Sequence, residues 1–463
     1  MARERLVVIG GDAAGMSAAS QARRRRSPDD LEIVAVERGR HTSYSACGIP
    51  YLVGGMVSDA EALVVRTPAT FRERYAIDVL VEHEAVVLDL DRRAVVVRQP
   101  DGGRRVLDFD QVVVATGAVP RRPDLPGVDA VGVHGVQTLG DGEAVRAALA
   151  AGARQAVVVG AGYIGLEMAE ALVNRGLAVT VVEAGPQPMS TVDPDMGAMV
   201  AEAMRTMDIT VRLNEPVRAI EAGPDGAVRA VVTSMGEVPA DLVILGLGVV
   251  PNTELARAAG LALGPTGGIR TDASMRSVSH PGVWAAGDCV ETMHRVSMAP
   301  VHAPLGTHAN KQGRIVGINI GGGYATFPGV VGTAVTRVCD LEIARTGLTE
   351  SEATRSGFRF LTAVVESTTR AGYYPGAEPI TTKLIAEKRS GRLLGAQIVG
   401  RDGAAKRIDV LATAVWQSMT VEEMTGLDLS YAPPFAPVWD PVLIAARRAA
   451  EAVEVDLADL VGG

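Results

Sequence analysis

Two segments of the chain repeat the same order of features, and this repeat restricts the possible folds strongly. LVVIGGDAAGMSAASQARRR (6–25) and QAVVVGAGYIGLEMAEALVNRG (155–176) each read as an apolar strand, a glycine-rich turn and an amphipathic helix. Each is followed by a strand that ends in a carboxylate, at Glu37 and at Glu183. Glycines let the backbone approach a ligand closely, and the helix start can hold a pyrophosphate through its free N–H groups. Because the acid can bind the ribose, the repeat predicts two dinucleotide sites in an α/β fold.

The first turn departs from the G-x-G-x-x-G pattern, because Asp12 stands where the middle glycine is expected. An ionised carboxylate is repelled by a pyrophosphate, so we expect the Asp12 side chain to point away or to pair with a cation. A turn that binds no ligand is the alternative. The turn residues that we predict to contact a dinucleotide are Gly10, Gly11, Ala14 and Gly15 in the first unit, and Gly160, Gly162, Tyr163, Ile164 and Gly165 in the second.

Composition excludes several other classes of protein. The chain has 463 residues, which predicts several domains, and its net charge of −9 argues against a nucleic-acid partner despite the local cluster QARRRRS. Its first residues lack the apolar run and the cleavage site that are typical of a signal peptide, and no apolar run reaches the roughly 18 residues that a membrane span needs. Its three cysteines are too far apart in sequence for a disulfide framework or a tetrahedral zinc site. We therefore expect a cytoplasmic protein with neither a membrane partner nor a bound metal.

Two further stretches identify the family that the chain resembles. DQVVVATGAVPRRPDLPG (110–127) and GVWAAGDCVE (282–291) each contain a strand that ends in a glycine turn. With the two nucleotide units, they resemble the FAD- and NAD(P)H-dependent pyridine nucleotide–disulfide oxidoreductases over essentially the whole chain. The resemblance implies that Asp288 binds the ribityl chain of FAD and that the helix in APLGTHANKQGR (303–314) starts at the flavin pyrimidine. The other cofactor contacts that it implies are Ala115, Thr116, Gly117, Gly287, Leu305, Gly306 and Thr307 for FAD, and Gly248 for NADH.

The resemblance also implies the domain organisation. We predict a split FAD domain (1–117 and 249–324), an inserted NAD(H) domain (118–248) and an α+β C-terminal dimerisation domain (325–463). Family members pair through the last domain, and each subunit completes the active site of its partner. We therefore expect a homodimer.

Cys47 lies in SYSACGIPYLVGG (43–55), and three hypotheses compete for its role. A redox disulfide is excluded, because no second cysteine follows within a few residues. A buried structural cysteine is the second hypothesis. The third is a single redox thiol that faces the flavin, since Cys47 follows Glu37 by ten residues and precedes a helix, as in the family. A helix N-terminus lowers the pKa of a thiol, which favours this third hypothesis.

The C-terminal part points to one branch of the family. GYYPGAEP (372–379) and LSYAPPFAPVWDP (429–441) resemble stretches of coenzyme A-disulfide reductases, where a tyrosine from each, donated by the other subunit, lies over the cysteine. The resemblance therefore makes Tyr373 and Tyr431 catalytic, and a phenol can protonate a leaving thiolate.

The substrate site matches that branch only in part. Gln21, Arg24 and Ser43 stand where that branch contacts coenzyme A. Three positions differ, because an asparagine of the branch is replaced by Ala46, and two nucleotide-binding lysines are replaced by Tyr75 and Trp439. These differences leave open whether the acceptor is coenzyme A disulfide or another disulfide, persulfide or polysulfide.

We interpret the chain as an FAD-dependent NAD(P)H oxidoreductase that reduces a small-molecule disulfide or persulfide through Cys47. NADH is favoured, because Glu183 would repel a 2′-phosphate, although NADPH is possible. One alternative is an NADH oxidase that reduces oxygen, although the first turn has Ala13 where peroxide-reducing relatives have histidine. The other is a flavoprotein that delivers electrons to a protein partner.

Overall fold

The computed structural model describes residues 3–462, and its first part is a parallel sheet backed by a helix. Up to residue 117 the elements are β1 (Glu4–Ile9), α1 (Ala13–Arg23), β2 (Leu31–Val36), α2 (Ile49–Gly54), α3 (Pro68–Tyr75), β3 (Ile77–Leu80), β4 (Glu84–Asp89), β5 (Ala94–Arg98), β6 (Arg104–Asp108) and β7 (Gln111–Val114). Strands β7, β1, β2 and β3 pair in that order, while β4, β5 and β6 form an antiparallel sheet. Leu6, Val7 and Val8 of β1 are fully buried, as expected for a parallel strand covered on both faces.

The second part repeats this arrangement. Its elements are β8 (Ala118–Pro120), β9 (Val133–Gly135), α4 (Leu139–Ala150), β10 (Gln155–Val159), α5 (Tyr163–Asn174), β11 (Ala178–Val182), α6 (Pro194–Thr206), β12 (Thr210–Arg212), β13 (Val217–Ala222), β14 (Val228–Thr233), β15 (Gly236–Pro239), β16 (Leu242–Leu245) and β17 (Val249–Pro251). A parallel sheet has the order β12-β11-β10-β16-β9, and β13, β14 and β15 form an antiparallel sheet. The outgoing strand β8 pairs antiparallel with the returning strand β17. The domain limits remain predictions, and this strand pair lies where the chain crosses between the two units.

The chain then returns to the first sheet. The elements are α7 (Glu254–Ala258), β18 (Val283–Ala285), β19 (Thr292–Met293), β20 (Pro300–Val301) and α8 (Gly306–Ile320). Strand β18 pairs in parallel with β7 and completes a five-stranded sheet. Helix α8 lies against α1 at two glycines: an added Cβ would lie 2.2 Å from the Ala14 oxygen at Gly313 and 2.4 Å from the Ala18 oxygen at Gly317. The start of α8 is therefore held close to the first glycine turn.

The C-terminal part is an antiparallel sheet with helices. Its elements are β21 (Ala334–Val338), β22 (Leu341–Gly347), α9 (Glu350–Arg355), β23 (Phe360–Thr368), β24 (Pro379–Glu387), β25 (Leu393–Gly400), α10 (Ile408–Trp416), α11 (Val421–Thr425) and α12 (Pro441–Gly462). The strand order is β21-β22-β25-β24-β23. The predicted fold class, two Rossmann-like units followed by an α+β unit, is confirmed. Within residues 3–462, no helix is both long enough and apolar enough to cross a membrane.

A buried ion cluster joins the C-terminal part to the second nucleotide unit. The Lys383 side chain is 3% exposed, and its Nζ lies 3.1 Å from Asp193, 2.8 Å from Asp195 and 2.6 Å from Glu350. Gln397 also donates a hydrogen bond to Asp193 Oδ2 over 2.6 Å. Because a buried charge left without its partner is costly, this cluster favours one arrangement of the two units.

Candidate active site

The turn between β1 and α1 contains backbone approaches that only glycine allows. Gly10 has φ +111°, and a Cβ on it would lie 2.0 Å from the Ala115 oxygen. A Cβ on Gly15 would lie 1.9 Å from the Gly10 oxygen. No side chain caps the start of α1 at Ala13, so its first N–H groups remain available to an anion. The turn therefore fits the pyrophosphate of a dinucleotide.

Glu37 and Glu183 hold equivalent positions at the ends of β2 and β11. Glu37 accepts hydrogen bonds from the N–H groups of Gly11 (2.8 Å) and Gly39 (2.6 Å). Glu183 accepts them from Ala161 (2.8 Å) and Gly185 (2.7 Å). Each carboxylate is thus fixed beside its glycine turn, with lone pairs left over for ribose hydroxyls.

The second glycine turn has the same close approaches. Gly160 has φ +97°, with an added Cβ 2.6 Å from the Gly246 oxygen, and a Cβ on Gly165 would lie 2.1 Å from the Gly160 oxygen. No side chain caps the start of α5, which follows Gly162 and begins with Tyr163 and Ile164. Gly248 has φ +78° just before β17. This turn also fits a pyrophosphate.

The predicted flavin residues converge on the first turn. Ala115 contacts Gly10 as described, and the following Gly117 has φ +69°. Thr116 donates a hydrogen bond from its hydroxyl to the Asn252 oxygen over 2.6 Å. A Cβ on Gly287 would lie 2.8 Å from the Ala14 Cβ, which puts the neighbouring Asp288 beside the turn. Burial raises the pKa of Asp288, and His302 opposes that shift.

The start of α8 has no side-chain cap either. Leu305 is its extended N-cap residue, and Gly306 and Thr307 are exposed. The free N–H groups and the positive end of the helix can therefore stabilise negative charge on a flavin ring placed there.

Asp12 turns toward the loop that leads to Cys47. Its Oδ1 accepts a hydrogen bond from the Tyr44 N–H over 3.2 Å, so of the two expected arrangements, pointing away or pairing with a cation, the cation pair does not form. Burial raises the pKa of Asp12 to about 7; the Tyr44 hydrogen bond opposes the shift, and the charge of Glu37 adds to it. A protonated Asp12 removes most of the repulsion that the sequence led us to expect beside a pyrophosphate.

Cys47 is an exposed thiol in a short 3-10 turn, Ala46–Gly48, directly before α2. Buried residues of α2, Ile49, Leu52 and Val53, pack in one core cluster with α4 and α5 of the second unit. The loop that carries Cys47 lies beside the first glycine turn, because the Tyr44 N–H, three residues before Cys47, donates a hydrogen bond to Asp12. The charges of Asp288 and Asp12 also act on the thiol. In contrast, Cys289 and Cys339 are buried.

The expected lowering of the Cys47 pKa by a helix N-terminus is wrong for this structure. Cys47 is exposed as a residue, but the surrounding protein partly desolvates its sulfur, and this raises the pKa of the thiol. The charge of Glu167 raises the pKa further, and Asp288 adds to the effect. Helix α2 has only six residues and starts two positions after Cys47, so its dipole is weak compared with burial and these carboxylates.

Tyr373 and Tyr431 come from two loops of the C-terminal part that meet. The Ala371 N–H donates to the Pro433 oxygen over 3.2 Å, which joins the loops. A hydrogen bond with Tyr373 raises the pKa of Tyr431. The two side chains are 78% and 47% exposed, and nearby Phe435 is 75% exposed. Both phenols are therefore accessible to another chain.

The predicted substrate residues lie along α1 and at its start. Gln21 packs against α8, because a Cβ added to Gly317 would lie 2.6 Å from the Gln21 Cβ. Arg24, the C-cap of α1, is exposed and makes no ion pair within residues 3–462. Ser43 has φ +51°, and its N–H donates to the Gly11 oxygen over 3.0 Å. Arg24 lies about 18 Å along the helix from Asp12, so a substrate that contacts both ends must be long.

The two positions where the related branch has lysines are each next to an arginine. Arg66 lies 5.9 Å from the centre of the Tyr75 ring, and Arg447 lies 4.8 Å from the centre of the Trp439 ring. The loss of the lysines therefore does not remove positive charge from these two places.

Sequence reasoning missed three residues that the fold adds to the site. Glu167 lies on α5, four residues after Tyr163, and acts on Cys47. Thr336 of β21 donates a hydrogen bond to Glu167 over 2.7 Å, and the Gln312 oxygen accepts one from the Gly287 N–H over 2.8 Å. For Glu167, the sequence offered one signal: it lies one helical turn after Tyr163, which was predicted to contact the dinucleotide.

Two dinucleotide turns with a thiol beside the first are features of a flavin-dependent oxidoreductase, and comparison with known proteins agrees. Residues 4–304 match the family described as pyridine nucleotide-disulphide oxidoreductase, and residues 333–441 match its dimerisation domain. The chain belongs to this family. It is therefore an enzyme that uses FAD and NAD(P)H, as predicted, and it carries the dimerisation domain of the family.

Three similar proteins illustrate the range of the family. The NAD(P)H sulfur oxidoreductase (CoA-dependent) of Pyrococcus abyssi is 41% identical over 447 residues, covering 96% of this chain and 98% of the relative. An NADH oxidase of Methanocaldococcus jannaschii is 36% identical over 447 residues, with the same coverage of 96% and 98%. The solved structure of an NAD-dependent persulfide reductase from A. fulgidus has a TM-score of 0.94 and 41% identity, covering 97% of this chain and 84% of that one.

The position of Asp12 leads to a prediction about stability and pH. Between its ordinary pKa of 3.8 and the raised value of about 7, the folded protein holds a proton that the unfolded chain releases. The stabilisation by protonated Asp12 is therefore present at low pH and is lost as the pH rises through that range. In the flavin-loaded protein, the gain in thermal midpoint from Asp12→Asn should grow by about 2 °C or more between pH 5.5 and 8.

The matched control is Asp29→Asn, which changes an exposed carboxylate after α1 and should give no such growth. A gain from Asp12→Asn that stays constant across this pH range would contradict the protonation of Asp12.

Proposed function

We propose that the protein uses NADH to reduce the S–S bond of a low-molecular-weight persulfide or disulfide, with coenzyme A derivatives as the substrate class. The observation that carries the proposal is Cys47, an exposed thiol beside the predicted flavin residues, with both other cysteines buried. The names of the relatives from P. abyssi and A. fulgidus, which refer to coenzyme A and to persulfide, support this substrate class.

The dimensions of the site favour a long thiol substrate. Arg24 is free for a phosphate at one end of α1, and Cys47 lies near the other end. Arg66 offers a second cation beside Tyr75. A small disulfide such as cystine is too short to contact both Arg24 and Cys47, whereas a thiol that carries a phosphorylated nucleotide reaches both.

The residues of the chain have distinct roles in this reaction. Glu183 and the second turn would hold NADH, and Glu37, Asp288 and the first turn would hold FAD. The bound flavin would supply the transfer of two electrons from the nicotinamide to sulfur. The Cys47 thiolate attacks one sulfur of the substrate and forms a mixed disulfide, while the other sulfur leaves and takes up a proton. Reduction of that disulfide regenerates Cys47 and releases the second thiol. For a disulfide, the sum is RSSR + NADH + H⁺ → 2 RSH + NAD⁺.

Tyr431 of the partner subunit, hydrogen-bonded to Tyr373 of the partner subunit, supplies the proton to the leaving sulfur. The exposure of Tyr373, Tyr431 and Phe435 in the single chain supports this arrangement, because an interface in a dimer would cover them. The match of residues 333–441 to the dimerisation domain supports it further.

Replacement of Cys47 separates this proposal from the two alternatives. Under anaerobic conditions, Cys47→Ser should lose at least about 99% of thiol release from coenzyme A persulfide or disulfide, because no nucleophile remains. It should keep NADH-dependent reduction of an artificial dye. Cys339→Ala, which alters a buried cysteine, should keep both activities.

Two results would contradict the proposal. Absence of thiol release by the wild type without oxygen would favour the NADH oxidase, which the relative from M. jannaschii illustrates. Full natural activity in Cys47→Ser would favour electron delivery to a protein partner.

The shared site predicts complementation between two inactive variants. Cys47→Ser and Tyr431→Phe should each reduce disulfide turnover by at least about tenfold. When both are expressed together, a mixed dimer contains one site with an intact Cys47 and an intact Tyr431 of the partner subunit. Random pairing should restore about a quarter of wild-type turnover, since half of the dimers are mixed and half of their sites are intact. Activity no higher than the average of the two variants would mean that each site lies within one chain.

Glu183, directly after β11, predicts which nicotinamide nucleotide the enzyme prefers. Glu183 is fixed beside the second turn, where its charge would repel a 2′-phosphate. The wild type should prefer NADH, and Glu183→Gln should lower the ratio of kcat/KM for NADH to that for NADPH by about tenfold, measured with a dye acceptor. Glu37→Gln, the equivalent change in the flavin unit, should leave the ratio unchanged when FAD is saturating. A wild-type preference for NADPH would overturn the assignment.

A further inference from the structure

Glu167 is a half-buried carboxylate that the reaction described above does not use. It lies on α5, one turn after Tyr163, and its Oε1 accepts a hydrogen bond from the Thr336 hydroxyl of β21 over 2.7 Å. Burial raises the pKa of Glu167, the Thr336 hydrogen bond opposes that shift, and Glu170 adds to it. The side chain is thus held by a residue of the C-terminal part rather than by its own unit.

Helices α2 and α5 run side by side in the same direction, since a Cβ on the residue after α2 would lie 3.2 Å from the Arg175 side chain just after α5. A Cβ on Gly54 would lie 3.3 Å from the Ala171 Cα, so the two helices are in close contact. Ala171 lies one turn after Glu167 on the same face of α5. Cys47 precedes Gly54 by seven residues, at the opposite end of the short α2. Cys47 and Glu167 therefore both lie on the N-terminal side of the place where the two helices touch.

The charged groups that act on Cys47 are all acidic. Asp288 and Asp12 act from the flavin side, and Glu167 acts from α5 more strongly than either. Tyr51 of α2 is next to the same groups: besides burial, the charges of Glu167 and Glu170 raise its pKa, and the charge of Arg337 opposes them. Arg337 is not among the groups that act on Cys47 itself, so the charge on Glu167 contributes strongly to how readily Cys47 ionises.

We propose that Glu167 is a positioning residue that sets the share of Cys47 present as the reactive thiolate, and that Thr336 holds its carboxylate in place. An ionised Glu167 keeps Cys47 as a thiol, and a neutral Glu167 releases the thiolate. The inference rests on the proposed function, in which the Cys47 thiolate attacks sulfur. It also makes the reactivity of the thiol depend on contact between α5 and the C-terminal part.

The test measures the thiol itself rather than turnover. The reduced, FAD-loaded dimer is treated with iodoacetamide at a series of pH values between about 6 and 10, and alkylation of the peptide that contains Cys47 is followed by mass spectrometry. In Glu167→Gln the alkylation rate at pH 7.5 should rise at least about threefold, and the midpoint of the pH profile should move to lower pH.

Three variants on the same elements make the result specific. Glu167→Asp keeps the charge and should stay close to the wild type. Glu170→Gln, three residues further along α5, removes a charge that raises the pKa of Glu167, so it favours ionised Glu167 and should not move the Cys47 profile to lower pH. Thr336→Val removes the hydrogen bond that favours ionised Glu167, so its profile should move in the same direction as that of Glu167→Gln.

An unchanged profile in both Glu167→Gln and Thr336→Val, or a shift to higher pH, would overturn the inference. If Glu167→Gln does not bind FAD, Thr336→Val alone decides the question, because Thr336 lies on a different element. Failure of the proposed function would look different: Cys47→Ser would keep disulfide reduction while the alkylation profiles behaved as described.

Discussion

The contact between α2 and α5 is the interaction on which the active site depends. Helix α2 follows Cys47 in the flavin unit, and its buried face packs with the second nucleotide unit. Helix α5 begins at the turn predicted to bind NADH, and through Glu167 and Glu170 it also binds β21 of the C-terminal part. Helix α5 therefore contacts the nucleotide turn, the segment that carries the thiol and the dimerisation domain. A shift of α5 would change the geometry of all three.

The two predicted dinucleotide sites lie close to the Cys47 thiol. In each unit a carboxylate, Glu37 or Glu183, accepts a hydrogen bond from a backbone N–H of the glycine turn. The first unit differs by Asp12, whose raised pKa reduces charge where a pyrophosphate would lie. Cys47 has acidic neighbours too, and together with partial desolvation of its sulfur they favour the neutral thiol.

The sequence predicted the glycine turns well because their requirement is local. A Cβ at Gly10 or Gly15 collides with backbone, so only glycine is possible there, and the surrounding strand and helix follow from apolar periodicity. The pKa of Cys47 could not be predicted in this way. It is raised first by the protein that surrounds the sulfur and then by the charge of Glu167, which lies 120 residues away in sequence.

The glycine turns and their acids were enough to predict an α/β fold with two dinucleotide sites, because their steric demands are strict. The family and its two cofactors followed from the resemblance of further motifs to known proteins. The tertiary structure decided that Asp12 binds the Tyr44 backbone, that Arg66 and Arg447 stack on Tyr75 and Trp439, and that Tyr373 meets Tyr431. It also decided that desolvation and nearby carboxylates outweigh the helix dipole in setting the pKa of Cys47. Such effects depend on distances between residues that are remote in the chain, and only packing sets those distances.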